Sequence, residues 1–149
     1  MKEFTIAIHG GAGTILRADM NSEKEKSYRA SLSLALEAGY RILEKGGSAV
    51  DAVKASVTAL EDDPLFNAGK GSVFAKNGKQ EMDASIMDGS NLMAGSVAAV
   101  RNVRNPIELA YAVMKKSQHV MLFREGAEQF AKLNGIKFEP DDYFHSDFP

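Results

Sequence analysis

The sequence predicts an α/β domain in which a layer of helices packs on a mixed β-sheet around one hydrophobic core. Three observations lead to this class: an apolar, β-branched run at 4–8, helical periodicity over 22–62, and strand-like runs between turns over 72–100. The chain has 149 residues, 44% of them hydrophobic, which is enough for one packed domain. We find no repeat and no internal boundary, so 1–149 is expected to form a single unit.

The first element is predicted to be a strand at 4–8. Its sequence, FTIAI, is almost continuously apolar, as in strands that are buried on both faces. Gly10, Gly11 and Gly13 end the run. Because the apolar stretch is too short for a secretory signal peptide, we expect it to be a strand of the sheet.

Two helices should follow. Ser22 and Glu25 have the spacing of a capping box, and the helix after them should stop at Gly46. Ser48 repeats this signature before a second helix that ends near Asp62. The two helices are expected to form one layer.

The remaining strands of the sheet come next. Asn77-Gly78 favours a two-residue hairpin turn, since both residues tolerate the positive φ that this turn needs. A second turn at 88–91 precedes the small-residue run 93–100, which should be a strand that lets neighbouring layers approach closely. Together with residues 4–8, these strands make up the predicted mixed sheet.

The last third of the chain is predicted to be helical and then irregular. Asn105 and Pro106 indicate a helix start, with the asparagine as cap and the proline in the first turn. Helices are expected over 106–117 and about 125–134. Residues from about 135 to 149 lose all hydrophobic periodicity and carry a proline among acids, which predicts a linker-like, poorly ordered tail.

Composition narrows the function. The formal charge is −2, from 18 basic and 20 acidic residues, and the basic residues are scattered, which argues against a nucleic-acid partner. Without cysteine, the sequence has neither a disulfide framework nor a thiolate zinc site. No apolar run approaches the roughly 20 residues that span a bilayer. A cytoplasmic location without membrane association is therefore expected.

The stretch EDDPLFNAGKGS at 61–72 does not match the common phosphate-binding motifs. A P-loop would need glycine in place of Pro64, and serine or threonine in place of Gly71. Gly11 and Gly13 lack the third glycine of a dinucleotide fingerprint. No organic cofactor is therefore expected.

The acids and histidines predict no metal or acid–base site. His9, His119 and His145 are too far apart in the sequence for a zinc motif, and no His-Glu-x-x-His occurs. Asp83 and Asp88 could pair as acid and base, but a five-residue spacing on a strand sends them to opposite faces. We expect Asp88 to serve in the turn that follows it.

The serines and the loop at 61–72 leave the function open. Ser72, Ser85 and Ser96 lack the Gly-x-Ser-x-Gly elbow and an evident histidine partner, so a hydrolytic site in this chain would be incomplete. In the loop, Asn67 offers a side-chain amide among glycines, which suits stabilisation of an oxyanion or a water. The same loop suits a monovalent cation bound by backbone carbonyls, or a turn without further function.

Six blocks of the sequence follow one another over about residues 4 to 134: IAIHGGAG, GGSAVDAV, LEDDPLFNAGKGSVF, EMDASIMDG, AGSVAAVRNVRNPIELAYAVM and HVMLFREGAEQFA. Together they resemble the α subunit of the plant-type asparaginases, which are isoaspartyl aminopeptidases among the N-terminal-nucleophile hydrolases. The resemblance implies an αββα sandwich in which this chain is the α-subunit part of one shared domain. It also implies autoproteolysis that yields a separate β subunit with an N-terminal catalytic threonine, in an (αβ)₂ heterotetramer.

The implied reaction is hydrolysis of the side-chain amide of L-asparagine or of isoaspartyl dipeptides. Asn67 would orient the attacking water or polarise the reacting carbonyl, and His9, Gly10 and Gly11 would support autoprocessing. Related alternatives are a glycosylasparaginase or a taspase-like threonine hydrolase. An alternative of another class is a small-ligand binding module with a degenerate site.

The resemblance also implies a structural sodium or potassium ion beside this site. The ligands would be backbone carbonyls, those of Leu60, Glu61, Asp63, Phe66, Ala68 and Lys70. The three acids at 61–63 lie unfavourably at a helix C-terminus, which favours a counter-charge or an ion nearby. The Lys70 ammonium would either steer a substrate carboxylate or, as we expect, be exposed.

Overall fold

A computed structural model describes residues 3–13, 18 and 20–145 of the chain. Its helices are α1 (Ser22–Glu44), α2 (Ala49–Glu61), α3 (Pro106–Lys116), α4 (Arg124–Leu133) and the short α5 (Asp141–Phe144). Its strands are β1 (Met82–Asp88), β2 (Met93–Val100) and β3 (Met121–Phe123). The predicted α/β class is therefore confirmed, with a smaller sheet than expected.

The helix ends follow from local capping. Asn21, one residue before the predicted Ser22, caps α1, because its Oδ1 accepts a hydrogen bond from the Lys24 N–H at 2.8 Å. Ser48 caps α2 as predicted, and its Oγ accepts from the Asp51 N–H at 3.0 Å. The two helices pack on each other and form one layer.

The sheet is mixed, with the order β1-β2-β3. Strands β1 and β2 are antiparallel and joined by the predicted turn, whereas β2 and β3 are parallel. Residues 74–80 form a small hairpin outside this sheet, at the position that the Asn-Gly pair predicts. Gly78 has φ +72° but Asn77 does not have a positive φ, so the turn is not of the predicted two-residue type. Strand β3 is an element that the sequence analysis did not predict.

One face of the sheet carries the core. Helix α3 packs so closely on β2 that a Cβ on Gly95 would lie 2.2 Å from the carbonyl oxygen of Ala110. This confirms the close approach expected of the small-residue strand. On the opposite face, Met87, Met121 and Phe123 are each more than half exposed. Within the described residues, helices therefore cover only one side of the sheet.

The N-terminal segment, residues 3–13, is not the predicted strand. Residues 4–8 run along α1, where the rings of Phe4 and Tyr40 lie 5.2 Å apart and a Cβ on Gly39 would meet Ile6. They pair with no strand in the part of the chain that the structure describes, so they are absent from the mixed sheet. The apolar run is thus covered by α1 on one side and open on the other.

The C-terminal segment, residues 136–145, is packed rather than linker-like. Phe138 forms a β-bridge with Val103, the Glu139 N–H donates to the carbonyl of Asn102 at 2.8 Å, and Phe144 is buried. The apolar side chains here follow neither helical nor strand periodicity, which is why the sequence pattern missed the packing. Residues 146–149 of the predicted tail lie outside the described residues.

A search of the described helices finds none with the length and apolar character of a membrane span.

Candidate active site

The loop at 61–72 leaves α2 and folds back on itself around two glycines. Gly69 has φ +50°, and a Cβ there would lie 2.3 Å from the carbonyl oxygen of Glu61. A Cβ on Gly71 would lie 2.2 Å from the carbonyl oxygen of Phe66. Because no side chain fits in these spaces, the glycines let backbone carbonyls lie directly against the turn.

Asn67 lies exposed at the tip of this loop, beside the buried Phe66. Its Oδ1 accepts a hydrogen bond from the Val73 N–H at 3.0 Å. This contact fixes which end of the amide faces the protein, so the NH₂ group is the end that is free to donate. No protein acceptor for that NH₂ group exists among the described residues.

The His9-Gly10-Gly11 stretch lies against the same loop. A Cβ on Gly10 would sit 3.1 Å from the Phe66 ring and 2.9 Å from a Leu32 methyl group. The Gly11 N–H donates to His9 Nδ1 at 3.1 Å, with Gly11 at φ +112°. Of the three predicted autoprocessing residues, the structure therefore places Gly10 against Phe66, the residue that precedes Asn67 in the loop.

Glu61 has a structural role that the sequence analysis missed. Its carboxyl group is buried, and its Oε1 accepts a hydrogen bond from the Ile107 N–H at 2.9 Å, which caps the start of α3. The predicted cap, Asn105, makes no side-chain capping bond and donates to Asp62 instead. Burial raises the pKa of the Glu61 carboxyl to about 8. Its Oε2 has no hydrogen-bond partner within the described part of the chain.

The counter-charge expected near 61–63 is Arg104. Its Nε lies 3.2 Å from Asp62 Oδ1, and its Nη1 lies 3.2 Å from Glu139 Oε1. The Tyr143 hydroxyl donates to the same Asp62 oxygen at 3.1 Å. The pKa of Tyr143 is raised, mainly by burial and also by the negative charge of the Asp62 carboxylate. Asp62 thus ties the end of α2 to the C-terminal segment, a contact with no local signal in the sequence.

The loop has the chemistry that a cation bound by carbonyls would need. Of the six predicted ligand carbonyls, that of Leu60 accepts from the N–H groups of Asp62 and Asp63. Those of Asp63, Phe66 and Ala68 accept one backbone N–H each, at 2.8–3.4 Å. A carbonyl oxygen has two lone pairs, so each of these three retains one. Across residues 3–13, 18 and 20–145, no three His, Cys, Asp or Glu side chains are grouped to hold a metal ion. A cation bound in this loop would therefore need backbone carbonyl oxygens as its ligands.

Comparison with known proteins decides the family. A family described as asparaginase matches residues 2–148. The chain belongs to the asparaginase family. It is 49% identical over 137 residues to an isoaspartyl peptidase of Escherichia coli, an alignment that covers 92% of this chain and 43% of that protein. It is 48% identical over 144 residues to the isoaspartyl peptidase of Salmonella typhimurium, covering 97% of this chain and 46% of the relative.

The human relative leads to the same family. It is named isoaspartyl peptidase/L-asparaginase, and the identity is 49% over 137 residues, covering 92% of this chain and 43% of the human protein. The family resemblance of the sequence blocks is confirmed. This asparaginase-family chain spans less than half the length of the curated relatives it matches.

Other candidate groups of this asparaginase-family chain lie away from the loop tip or serve the fold. Lys70 Nζ lies 5.5 Å from the ring centroid of Tyr143, so the ammonium group is half-buried over an aromatic ring and not fully exposed as expected. Asp88 holds its turn by accepting from the Ser90 N–H and hydroxyl, which lower its pKa. Asp83 accepts from the Ala99 N–H at 2.8 Å.

The three candidate serines are not paired with a base. Ser85 and Ser96 face each other across β1 and β2, and Ser72 is buried in the loop. Among the described residues, no histidine side chain bonds to any of them.

Proposed function

We propose that this chain is the α-subunit part of an amidohydrolase that cleaves L-asparagine to aspartate and ammonia and hydrolyses isoaspartyl dipeptides. The observation that carries the proposal is the amide of the exposed Asn67, whose Oδ1 accepts from the Val73 N–H and whose NH₂ group has no acceptor among the described residues. The names of the relatives supply the substrate class.

The nucleophile belongs to a second chain that autoproteolysis produces. An N-terminal threonine attacks with its hydroxyl while its own α-amine acts as base, so the peptide bond before it has to be cut. The absence of a serine paired with a base in the described residues supports this division. His9, Gly10 and Gly11 would give the uncut loop room to pack, because Gly10 already touches Phe66 without a side chain.

The second chain also completes the fold. The bare sheet face at Met87, Met121 and Phe123 supports a second sheet packed upon it, which gives the αββα sandwich. The unpaired residues 4–8 would gain a neighbouring strand in the same way. Two such pairs would form an (αβ)₂ heterotetramer, for which we propose a cytoplasmic location.

In the reaction, the threonine hydroxyl adds to the substrate carbonyl, the C–N bond breaks and ammonia or an amine leaves. Water then hydrolyses the acyl-enzyme. The Asn67 NH₂ group donates to the developing oxyanion or to that water. Loss of a preorganised donor of this kind costs on the order of 10²–10³ in rate.

A sodium or potassium ion is proposed to keep the loop rigid. It would be held by the carbonyls of Leu60, Glu61, Asp63, Phe66, Ala68 and Lys70. The close approach of Gly69 and Gly71 to carbonyl oxygens supports this, since a Cβ at either position would fill the space. The charge of the ion would offset the carboxylates of Asp62 and Asp63 alongside Arg104.

Mass spectrometry and an ammonia assay on the protein expressed from its full gene test the proposal. We expect a co-purifying chain that begins with threonine, and ammonia release from asparagine together with cleavage of a β-aspartyl dipeptide. A single uncut chain without companion or activity would support the binding module instead. Preferential cleavage of a glycosylated asparagine or of a protein would move the assignment to the related hydrolases.

A further inference from the structure

A side chain outside the loop controls the orientation of Asn67. We infer that Gln80 is a positioning residue that aligns the Asn67 amide through the Ser72–Val73 peptide group, and that the C-terminal segment holds Gln80 in place. The inference deepens the proposed function and rests on it, because it assigns Gln80 a role at the proposed site.

One peptide group joins the two side chains. Gln80 Nε2 donates to the carbonyl oxygen of Ser72 at 2.7 Å. The N–H on the other side of that peptide, at Val73, donates to Asn67 Oδ1 at 3.0 Å. A peptide group is planar, so the direction of its C=O sets the direction of its N–H. Gln80 therefore fixes the donor that holds the Asn67 amide.

The second proton of the Gln80 amide is used as well. Nε2 donates to the carbonyl oxygen of Phe144 at 2.6 Å. The two carbonyls determine which end of the Gln80 amide faces them. If the amide were turned round, its Oε1 would face two carbonyl oxygens, which have no hydrogen to donate. Phe144 is itself 2% exposed, and the neighbouring Tyr143 is bonded to Asp62. The C-terminal segment is thus an anchored partner and not a loose end.

The consequence concerns the amide of Asn67. The two ends of an asparagine amide have nearly the same shape but opposite hydrogen-bonding character. Without a fixed Val73 N–H, the amide can turn and present an acceptor where the reaction needs a donor. Linked hydrogen bonds also strengthen one another, so loss at Gln80 is felt at Asn67.

The test compares Gln80→Met with Lys76→Ala in the assembled enzyme. Methionine keeps the length of glutamine but has no N–H. Lys76 is exposed on the same hairpin, and within the described residues its side chain bonds to neither Ser72 nor the C-terminal segment. We expect Q80M to lower kcat about fivefold, the size of one neutral hydrogen bond, with KM within about twofold. K76A should leave both constants unchanged. If Q80M misfolds, Gln80→Glu repeats the test with a side chain that accepts and cannot donate to a carbonyl.

A double-mutant cycle shows whether Gln80 acts through Asn67. In an Asn67→Ala background, Q80M should have no further effect on kcat, since the group it positions is gone. An equal loss in both backgrounds would overturn the inference and assign Gln80 to general stability. Unchanged kcat in Q80M alone would overturn it as well.

Hydrogen exchange separates this inference from the proposed function. In Q80M the Val73 amide should exchange roughly tenfold faster, because its peptide group is no longer held. If the wild-type protein cleaves neither asparagine nor an isoaspartyl dipeptide, the proposed function fails and this exchange rate still tests the link. An unchanged rate for Val73 would show that Gln80 does not hold the peptide.

Discussion

The two end segments of the chain differ in how well they pack, and the difference is the reverse of what their sequence patterns predict. The N-terminal segment has an almost continuously apolar, strand-like pattern, yet residues 4–8 pair with no strand among the described residues. The C-terminal segment has no pattern, yet it bonds to Asp62, Gln80 and Asn102. An apolar run thus indicates that a segment needs partners, but not that the same chain supplies them. A segment without periodicity can still pack when its carbonyls accept hydrogen bonds from fixed side chains and its own side chains donate to fixed carboxylates.

Both segments contact the loop that contains Asn67. Removal of the Asn67 amide should have the largest effect on activity. Gly10 packs on Phe66 from one side, while Gln80 links Asn67 to Phe144 from the other. We expect Asn67→Ala to lower kcat on the order of 10²–10³-fold, because the outward NH₂ donor is lost.

Asn67→Asp is the matched control for the donor role. Aspartate keeps an oxygen for the Val73 N–H but has no NH₂ group, so its kcat should fall as far as that of the alanine variant. Full activity of N67D in steady-state assays would show that the NH₂ group does not act in the reaction.

A pair of Phe→Ala variants compares the two segments directly. Phe144 is 2% exposed and Phe4 is 37% exposed. In the isolated chain, Phe144→Ala should lower the free energy of unfolding by about 3 kcal/mol and Phe4→Ala by about 1 kcal/mol. Urea denaturation measures both. Equal losses would mean that the N-terminal segment is as well packed as the C-terminal one.

Glu61 provides a smaller test of the contacts behind the loop. Glu61→Ala leaves the buried Ile107 N–H without its acceptor and should cost about 2 kcal/mol of unfolding free energy. Glu61→Gln keeps an acceptor and nearly the same volume, so thermal denaturation should place it within about 1 kcal/mol of wild type. A glutamine variant as unstable as the alanine variant would show that the capping bond does not stabilise α3.

What the sequence could predict follows from how local each signal is. The cap at Ser48 and the turns at Gly78 and Asp88 depend on neighbours within a few residues, and the positions of this cap and of both turns were predicted. The Glu61–Ile107 and Asp62–Tyr143 contacts join residues 46 and 81 positions apart, and no spacing rule reveals them.

The candidate site divides in the same way. Asn67 was singled out from the composition of its loop, whereas His9, Gly10 and Gly11 were assigned through the family resemblance, and both assignments stay predictions. Gln80 was missed because its role depends on one peptide group and on a carbonyl 64 positions away. The expected strand at 4–8 was wrong for this chain because pairing is a property of two segments, and the pattern belongs to only one.

Amide hydrogen exchange of residues 4–8 in the native, assembled protein tests the central claim most directly. If this chain is one part of a shared domain, these amides will exchange as slowly as those of the central strand β2, although no described residue of this chain bonds them. Exchange near the rate of an unstructured peptide would contradict the claim, because no strand from a second chain would then lie beside them.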